Sequence, residues 1–241
     1  MKRKQAILMC LLLLSVQLYA QLPALDRVEP MFWWVNMKNP RLQLIVHGDR
    51  IGEREVQLEY PGVTVAKVHR VENPNYLFLD LEVAPSAKPG KFPIRFTQQG
   101  RKPAVYQYEL RPRQQTAERI AGVTNKDLIY LIMPDRFANG DKKNDVVKGM
   151  QETALHRDSM YYRHGGDLQG IIDRLGYLED LGVTALWLNP VLENDQPKTS
   201  YHGYANTENY YIDPRYGTNE LYRRLADELQ NRNMKLIKDI V

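Results

Sequence analysis

The chain has 241 residues, 43% of them apolar and 26% charged, a balance that suits a soluble globular protein with room for one large domain or two ordinary ones. Its formal charge of +4 is not gathered into the Lys/Arg clusters that mark a nucleic-acid surface, so that class of partner is excluded. One cysteine, Cys10, leaves no pair for a disulfide.

Lys2, Arg3 and Lys4 precede an apolar run from Ala6 to Val16, and Ala20 offers a small residue for cleavage. This pattern predicts a secretory signal peptide over residues 1–20 and an exported protein, periplasmic or secreted. The run is too short to span a bilayer, and no second run of spanning length follows. A buried N-terminal helix would leave the basic start unexplained. Without residues 1–20 three basic and no acidic residues are lost, and the charge falls to +1. Cys10 lies inside this segment, away from the position a lipid-anchored cysteine takes after the cleavage site, so thiol chemistry is not expected after export.

From about Leu25 to Leu110, short apolar runs alternate with turn residues. The predicted strands are Met31–Val35, Leu42–Val46, Val56–Tyr60, Leu77–Val83, Phe92–Phe96 and Ala104–Leu110, punctuated by Pro61-Gly62, Asn73-Pro74 and Pro89-Gly90. Such spacing predicts an all-β immunoglobulin-like sandwich over residues 21–122. Trp33 and Trp34 are adjacent, so on a strand they face opposite ways. One is expected in the core and the other at the surface or an interface, with core packing favoured over a sugar platform.

Residues 111–123 are polar and read as a linker or short helix, and a second domain is placed over 123–241. An apolar run from Asp127 to Met133 predicts its first strand. Leu168, Ile171, Ile172, Leu175, Leu178 and Leu181 recur at three- and four-residue intervals, which predicts one helix from Asp167 to Gly182. Asp167 is its candidate N-cap, and Gly182 fits the position past its end. Val183–Leu188 shows almost no alternation, as expected of a parallel strand covered on both faces. Thr218 is placed to cap a helix carrying Leu221, Tyr222, Leu225 and Leu229, and Met234–Val241 predicts a third strand. Strands separated by helices at about fifty-residue intervals begin an α/β barrel or a doubly wound sheet.

Two polar clusters have candidate chemistry. Asn139, Asp141, Asn144 and Asp145 put four oxygen-bearing side chains within seven residues, and Asp167 follows a Gly-Gly turn. Hard oxygen donors of this kind suit calcium, although Asn, Gly and Asp also favour plain turns. The spacing is not that of an EF-hand. The second cluster is Tyr201-His-Gly-Tyr204, after the second strand of the domain, with Trp187 and Asn189 at that strand's end. Aromatic faces pack on sugar rings while hydroxyl and imidazole groups bond sugar hydroxyls, and the same residues also serve as ordinary packing.

Pro134-Asp-Arg-Phe-Ala-Asn-Gly-Asp141, Gly165-Gly-Asp-Leu-Gln-Gly-Ile171, Leu181–Pro190, Tyr201–Tyr204 and Lys235–Val241 occur in the order found in the α-amylase family of glycoside hydrolases, which residues 127–241 resemble throughout. With a β domain and a signal peptide in front, the likeness is to secreted neopullulanases and cyclomaltodextrinases of the bacterial starch-utilisation type. The resemblance implies a (β/α)₈ TIM barrel, of which about three βα units lie here, cutting α-1,4-glucans by a retaining double displacement. It implies a calcium site of Asn139, Asp141, Asn144, Asp145, Asp167 and the Gly165 carbonyl. It also implies that Tyr204 stacks on a substrate sugar, that His202 hydrogen-bonds it, and that Asp239 supports the site. The partners implied are an α-glucan oligosaccharide and a second copy docked through the sandwich.

The family's nucleophilic aspartate, acid/base glutamate and second aspartate belong to later strands, so the expectation is an N-terminal part of a longer enzyme that is inactive alone. Asp135 and Glu193 do not match catalytic positions. The alternative expectation is a non-catalytic oligosaccharide-binding protein on an amylase scaffold.

Overall fold

The computed structural model describes residues 23–113 and 122–241. The predicted signal segment with Cys10, and most of the predicted linker, lie outside the described residues. The chain divides between Thr116 and Ala117 into two compact units.

Among the described residues the first unit holds eight strands: β1 (Arg27–Glu29), β2 (Phe32–Trp34), β3 (Arg41–His47), β4 (Glu55–Leu58), β5 (Val63–Arg70), β6 (Tyr76–Val83), β7 (Gly90–Thr97) and β8 (Ala104–Arg111). They form two four-stranded sheets ordered β1-β3-β6-β5 and β2-β8-β7-β4, antiparallel except where β2 runs parallel to β8. This is the predicted sandwich. Alternation supplies its core. Leu42, Leu44 and Val46 of β3 point inward with Leu77, Leu79 and Leu81 of β6, against Phe92, Ile94, Phe96, Tyr108 and Leu110 of the other sheet. In register, Leu42 faces Leu81, Leu44 faces Leu79 and Val46 faces Leu77. Each buried aliphatic side chain stabilises by about 2 kcal/mol, and a one-residue slip of either strand would turn its three outward, so this ladder also sets the pairing.

Strand β5 escapes the alternation rule for a local reason. Its pairing with β6 shifts register between Val65 and Lys67, and such a bulge re-aims the residues after it. Trp33 packs against the core, while the Trp34 ring meets Phe32 edge-on at 5.2 Å and Trp33 at 5.7 Å.

The second unit is built on β9 (Ile129–Ile132), β10 (Ala185–Leu188) and β11 (Lys235–Lys238), a parallel sheet with β10 in the middle. Its helices are α1 (Pro134–Phe137), α2 (Leu168–Asp173), α3 (Leu175–Asp180) and α4 (Asn219–Asn231). Leu168, Ile171, Leu175 and Leu178 pack with Leu186, Leu188, Leu225 and Leu229 in one core.

Two expectations are corrected. The helix predicted as continuous over 167–182 is two short helices, because Arg174 leaves helical geometry at φ −109°, ψ 9° and its N–H turns back to the Ile171 carbonyl at 3.0 Å. The apolar spacing survives the break, so the face stays on the core. Gly182 ends α3 at φ +84°, with the N–H groups of Gly182 and Val183 closing onto Glu179 and Leu178, a glycine-dependent stop. The double cover predicted for β10 is incomplete among the described residues. Leu186 and Leu188 on one face and Ala185 on the other are buried, whereas Trp187, on the face of Ala185, and its register partner Leu131 are 41% and 57% exposed.

Ile132 pairs with Leu188, and Leu188 with Lys238, so the three strands end together. The segments after them, 133–167, 189–217 and Asp239 onward, leave from one edge of the sheet, where parallel α/β folds carry their chemistry. No helix of the described residues is long and apolar enough to cross a membrane.

Candidate functional site

The segment after β9 closes on Asp167. One carboxylate oxygen accepts the Gly140 N–H at 3.1 Å and the Gly170 N–H at 2.6 Å; the other accepts the Asp141 N–H at 2.8 Å and the Asn144 amide at 3.3 Å. Asp167 is therefore the N-cap of α2, as predicted, and also the staple of the oxygen-rich loop. Asp167 thus ties the Gly140–Asn144 stretch of the loop, which carries the other predicted ligands, to the start of α2.

The remaining candidates converge. Asn139 donates its amide to Asp145 at 2.6 Å. A Cβ placed on Gly165 would lie 2.7 Å from an Asp145 oxygen and 2.8 Å from the Asn139 amide nitrogen, so only a glycine backbone fits between them. The side-chain oxygens of Asn139 and Asn144 are buried with no hydrogen-bond partner, which costs free energy unless something electropositive meets them. Asp141 completes the loop, one oxygen accepting the Lys143 N–H at 3.0 Å. No three His, Cys, Asp or Glu side chains among the described residues converge as a metal-binding group. The donor set is instead a mixture of amide, carboxylate and backbone oxygens, a chemistry that fits calcium and not zinc.

The turn after β10 holds the second predicted cluster. Gly203 adopts φ +82°, and a Cβ there would lie 2.0 Å from the Pro190 carbonyl oxygen, so the tight approach of the turn to the strand end requires glycine. The turn is tied down through Ser200, which is fully buried. Its N–H donates to Glu152 at 2.8 Å, its carbonyl accepts the Asn194 amide at 3.0 Å, and its hydroxyl accepts from Arg163 at 3.4 Å. Tyr216 donates its hydroxyl to the Tyr201 carbonyl at 2.8 Å.

On this anchor the predicted residues meet. The rings of His202 and Tyr204 lie 6.0 Å apart at 28°, and Tyr204 is 45% exposed. The Tyr204 hydroxyl donates to Asp239 at 3.0 Å, and the Trp187 indole N–H donates to the same carboxylate oxygen at 3.3 Å. Partial desolvation, and then the hydrogen bond to Asp239, push the Tyr204 hydroxyl above the usual phenol range and keep it a donor. The Tyr204 N–H donates to His202 Nδ1 at 2.9 Å. That ring is therefore the tautomer protonated at Nε2, with its N–H turned away from the backbone. Such an arrangement offers an aromatic face with a donor beside it.

Several residues here were given no role in the sequence. Asp135 is buried against the His164–Gly166 turn, the Arg136 guanidinium lies 4.1 Å over the Tyr201 ring, and Arg163 and Ser200 are buried and joined to each other. A charged residue amid polar neighbours reads as solvated surface, and only the fold shows these to be enclosed. Glu193, set aside in the sequence, accepts the Thr207 hydroxyl at 3.2 Å.

Residues 27–114 match the family described as cyclomaltodextrinase, N-terminal, and residues 131–241 match the alpha-amylase catalytic domain. Among similar curated proteins, Neopullulanase 2 of Thermoactinomyces vulgaris is 44% identical over 117 residues, 47% of this chain and 19% of that protein. Cyclomaltodextrinase of Thermoanaerobacter pseudethanolicus is 42% identical over 122 residues, 49% of this chain and 20% of that protein. A solved Anoxybacillus alpha-amylase is 42% identical, with a TM-score of 0.41, over 47% of this chain and 23% of that one. The matched stretch thus spans 19% and 20% of the length of those two curated relatives. The two family matches fall one on each of the units described above, a cyclomaltodextrinase-type N-terminal domain and the start of an α-amylase catalytic domain.

Proposed function

We propose that this chain is the sugar-holding and cation-holding part of an exported α-glucan hydrolase or transglycosylase acting on α-1,4-glucosidic bonds with retention. The observation that carries the reading is the exposed Tyr204 ring, tethered by its hydroxyl to Asp239 and flanked by His202, at the edge where three parallel strands end. Relatives named neopullulanase and cyclomaltodextrinase support the substrate class.

In this reading the Tyr204 face takes the apolar face of a glucosyl ring and the His202 Nε2–H donates to one of its hydroxyls. Asp239 holds Tyr204 and Trp187 in place from the end of β11. Retaining cleavage needs two carboxyl groups about 5 Å apart across the scissile bond, and the reading gives neither role to a residue of this chain. The pure chain accordingly binds oligosaccharide and leaves pullulan uncut.

The orphaned oxygens of Asn139 and Asn144, with Asp141, Asp145, Asp167 and the Gly165 carbonyl, would hold calcium. Bound there, the ion supplies positive charge that satisfies those oxygens and stiffens the loop. The sandwich serves as a self-association surface, read by the elution volume of residues 21–122.

Titration of maltotriose into the full chain tests the sugar site. Saturable binding is expected, lost on Tyr204→Ala and weakened by Tyr204→Phe, which keeps the face and removes the tether; an alanine variant that binds as well as the parent would refute it.

A further inference from the structure

The oxygen-rich loop and the Tyr201–Tyr204 turn follow different strands, yet one carboxylate reaches the framework of both. Asp135, in α1, is 1% exposed. Its side chain accepts the His164 N–H at 2.8 Å and the Gly165 N–H at 3.3 Å, and its carbonyl accepts the Gly166 N–H at 2.9 Å. These are three consecutive amides of the turn that presents Gly165 to Asn139 and Asp145. Two guanidinium groups meet the same carboxylate from the other side. Arg136 pairs with it directly and covers the Tyr201 ring. Arg163 approaches with Nε at 3.7 Å, at 1% side-chain exposure. From there it donates to the Ser200 hydroxyl and lies 4.7 Å over Tyr216, whose own hydroxyl holds the Tyr201 carbonyl.

The Arg163 pairing is loose. Two of its nitrogens, Nε and one terminal nitrogen, are buried without a hydrogen bond, and a buried guanidinium in that state gains strongly from a closer partner. A cation held through the Gly165 carbonyl acts on the turn whose amides grip Asp135. Any movement of Asp135 alters a low-dielectric ion pair whose energy is steep in distance. Arg163 passes that change to Ser200, from which the sugar-facing turn hangs.

We infer that Arg163 is a positioning residue that couples the two sites, so that calcium in the Asn139–Asp145 loop and an α-glucan on the Tyr201–Tyr204 turn strengthen each other's binding. The inference rests on the two sites proposed above. Coupling of this kind is reciprocal by thermodynamic necessity, which gives a readout that a merely structural role of Arg163 would not move.

The test is calorimetric titration of the full chain with calcium chloride, with and without saturating maltotriose, and the converse. Each ligand is expected to tighten the other by the same factor, roughly tenfold, within the usual span of site-to-site coupling. In Arg163→Gln both ligands are expected to bind while the factor falls to about one, and Arg163→Lys is expected to restore part of it. Should the glutamine variant fail to fold, Ser200→Ala, which removes only the hydroxyl that Arg163 reaches, is expected to lower the factor in the same way. A wild-type chain that binds both ligands independently overturns the coupling and leaves the sites standing, as does an undiminished factor in the variants. A wild-type chain that binds neither ligand overturns the sites and the coupling together.

Discussion

Arg215 holds Asp213 with two hydrogen bonds, at 2.9 and 2.7 Å, and their side chains are 1% and 0% exposed. Burial alone would raise the Asp213 carboxyl, but the hydrogen bonds and charge of Arg215 outweigh it and hold the group below the usual carboxylate range. A depressed folded-state pKa contributes stability that is present above the ordinary value of about 4 and lost as pH falls through the folded one. The contribution is therefore full at neutral pH and declines in acid. Arg215 also donates to the backbone carbonyls of Asn194 and Glu152, so it braces the residues that anchor Ser200. Arg215→Met leaves Asp213 buried without its partner and is expected to destabilise by about 3–5 kcal/mol at neutral pH. The gap to the parent should narrow as Asp213 becomes protonated; thermal unfolding followed by circular dichroism at neutral and acid pH measures both. At this scale the sequence named His202, Tyr204 and Asp239, and the structure brings them together with Trp187. It set Asp135 aside as non-catalytic and did not name Arg163; their partners lie far along the chain, and no local pattern announces their burial.

Elements were legible where a single periodicity ran unbroken. Helix α4 is one case: Thr218 accepts the Leu221 N–H at 3.1 Å and Leu225 and Leu229 are buried, as spacing and cap predicted. Thr218→Ala is expected to cost about 1 kcal/mol, the usual worth of such a cap, with a lowered melting temperature as the measure; Thr218→Ser should retain most of it. Where the periodicity is interrupted, legibility failed. The register shift in β5 hid that strand, and the change of hydrogen-bond pattern at Arg174 divided a helix whose apolar spacing looked continuous. Both interruptions are backbone events that leave the residue types unchanged. Asp167 was legible as the cap of α2, whereas its bonds to Gly140, Asp141 and Asn144 join segments more than twenty residues apart that no local pattern connects.

On the scale of the whole molecule, each unit closes its own core, one of sheet faces and one of a parallel sheet with helices. A separately expressed segment of residues 21–122 is thus expected to fold alone, with a β-type circular dichroism spectrum and one cooperative melting transition. A disordered product would show that the sandwich needs its neighbour. The sequence by itself determined the fold class of both units and the aromatic and oxygen-rich residues of the two clusters, since hydrophobic period and turn chemistry are local properties of the chain, while the third strand of the second unit, predicted to Val241, ends at Lys238. Only the tertiary structure decided which of those residues meet, which oxygens are left without a donor, and that a buried Asp135 lies between the loops. Those outcomes depend on enclosure and on distances between segments far apart in sequence, and neither is encoded in any single stretch.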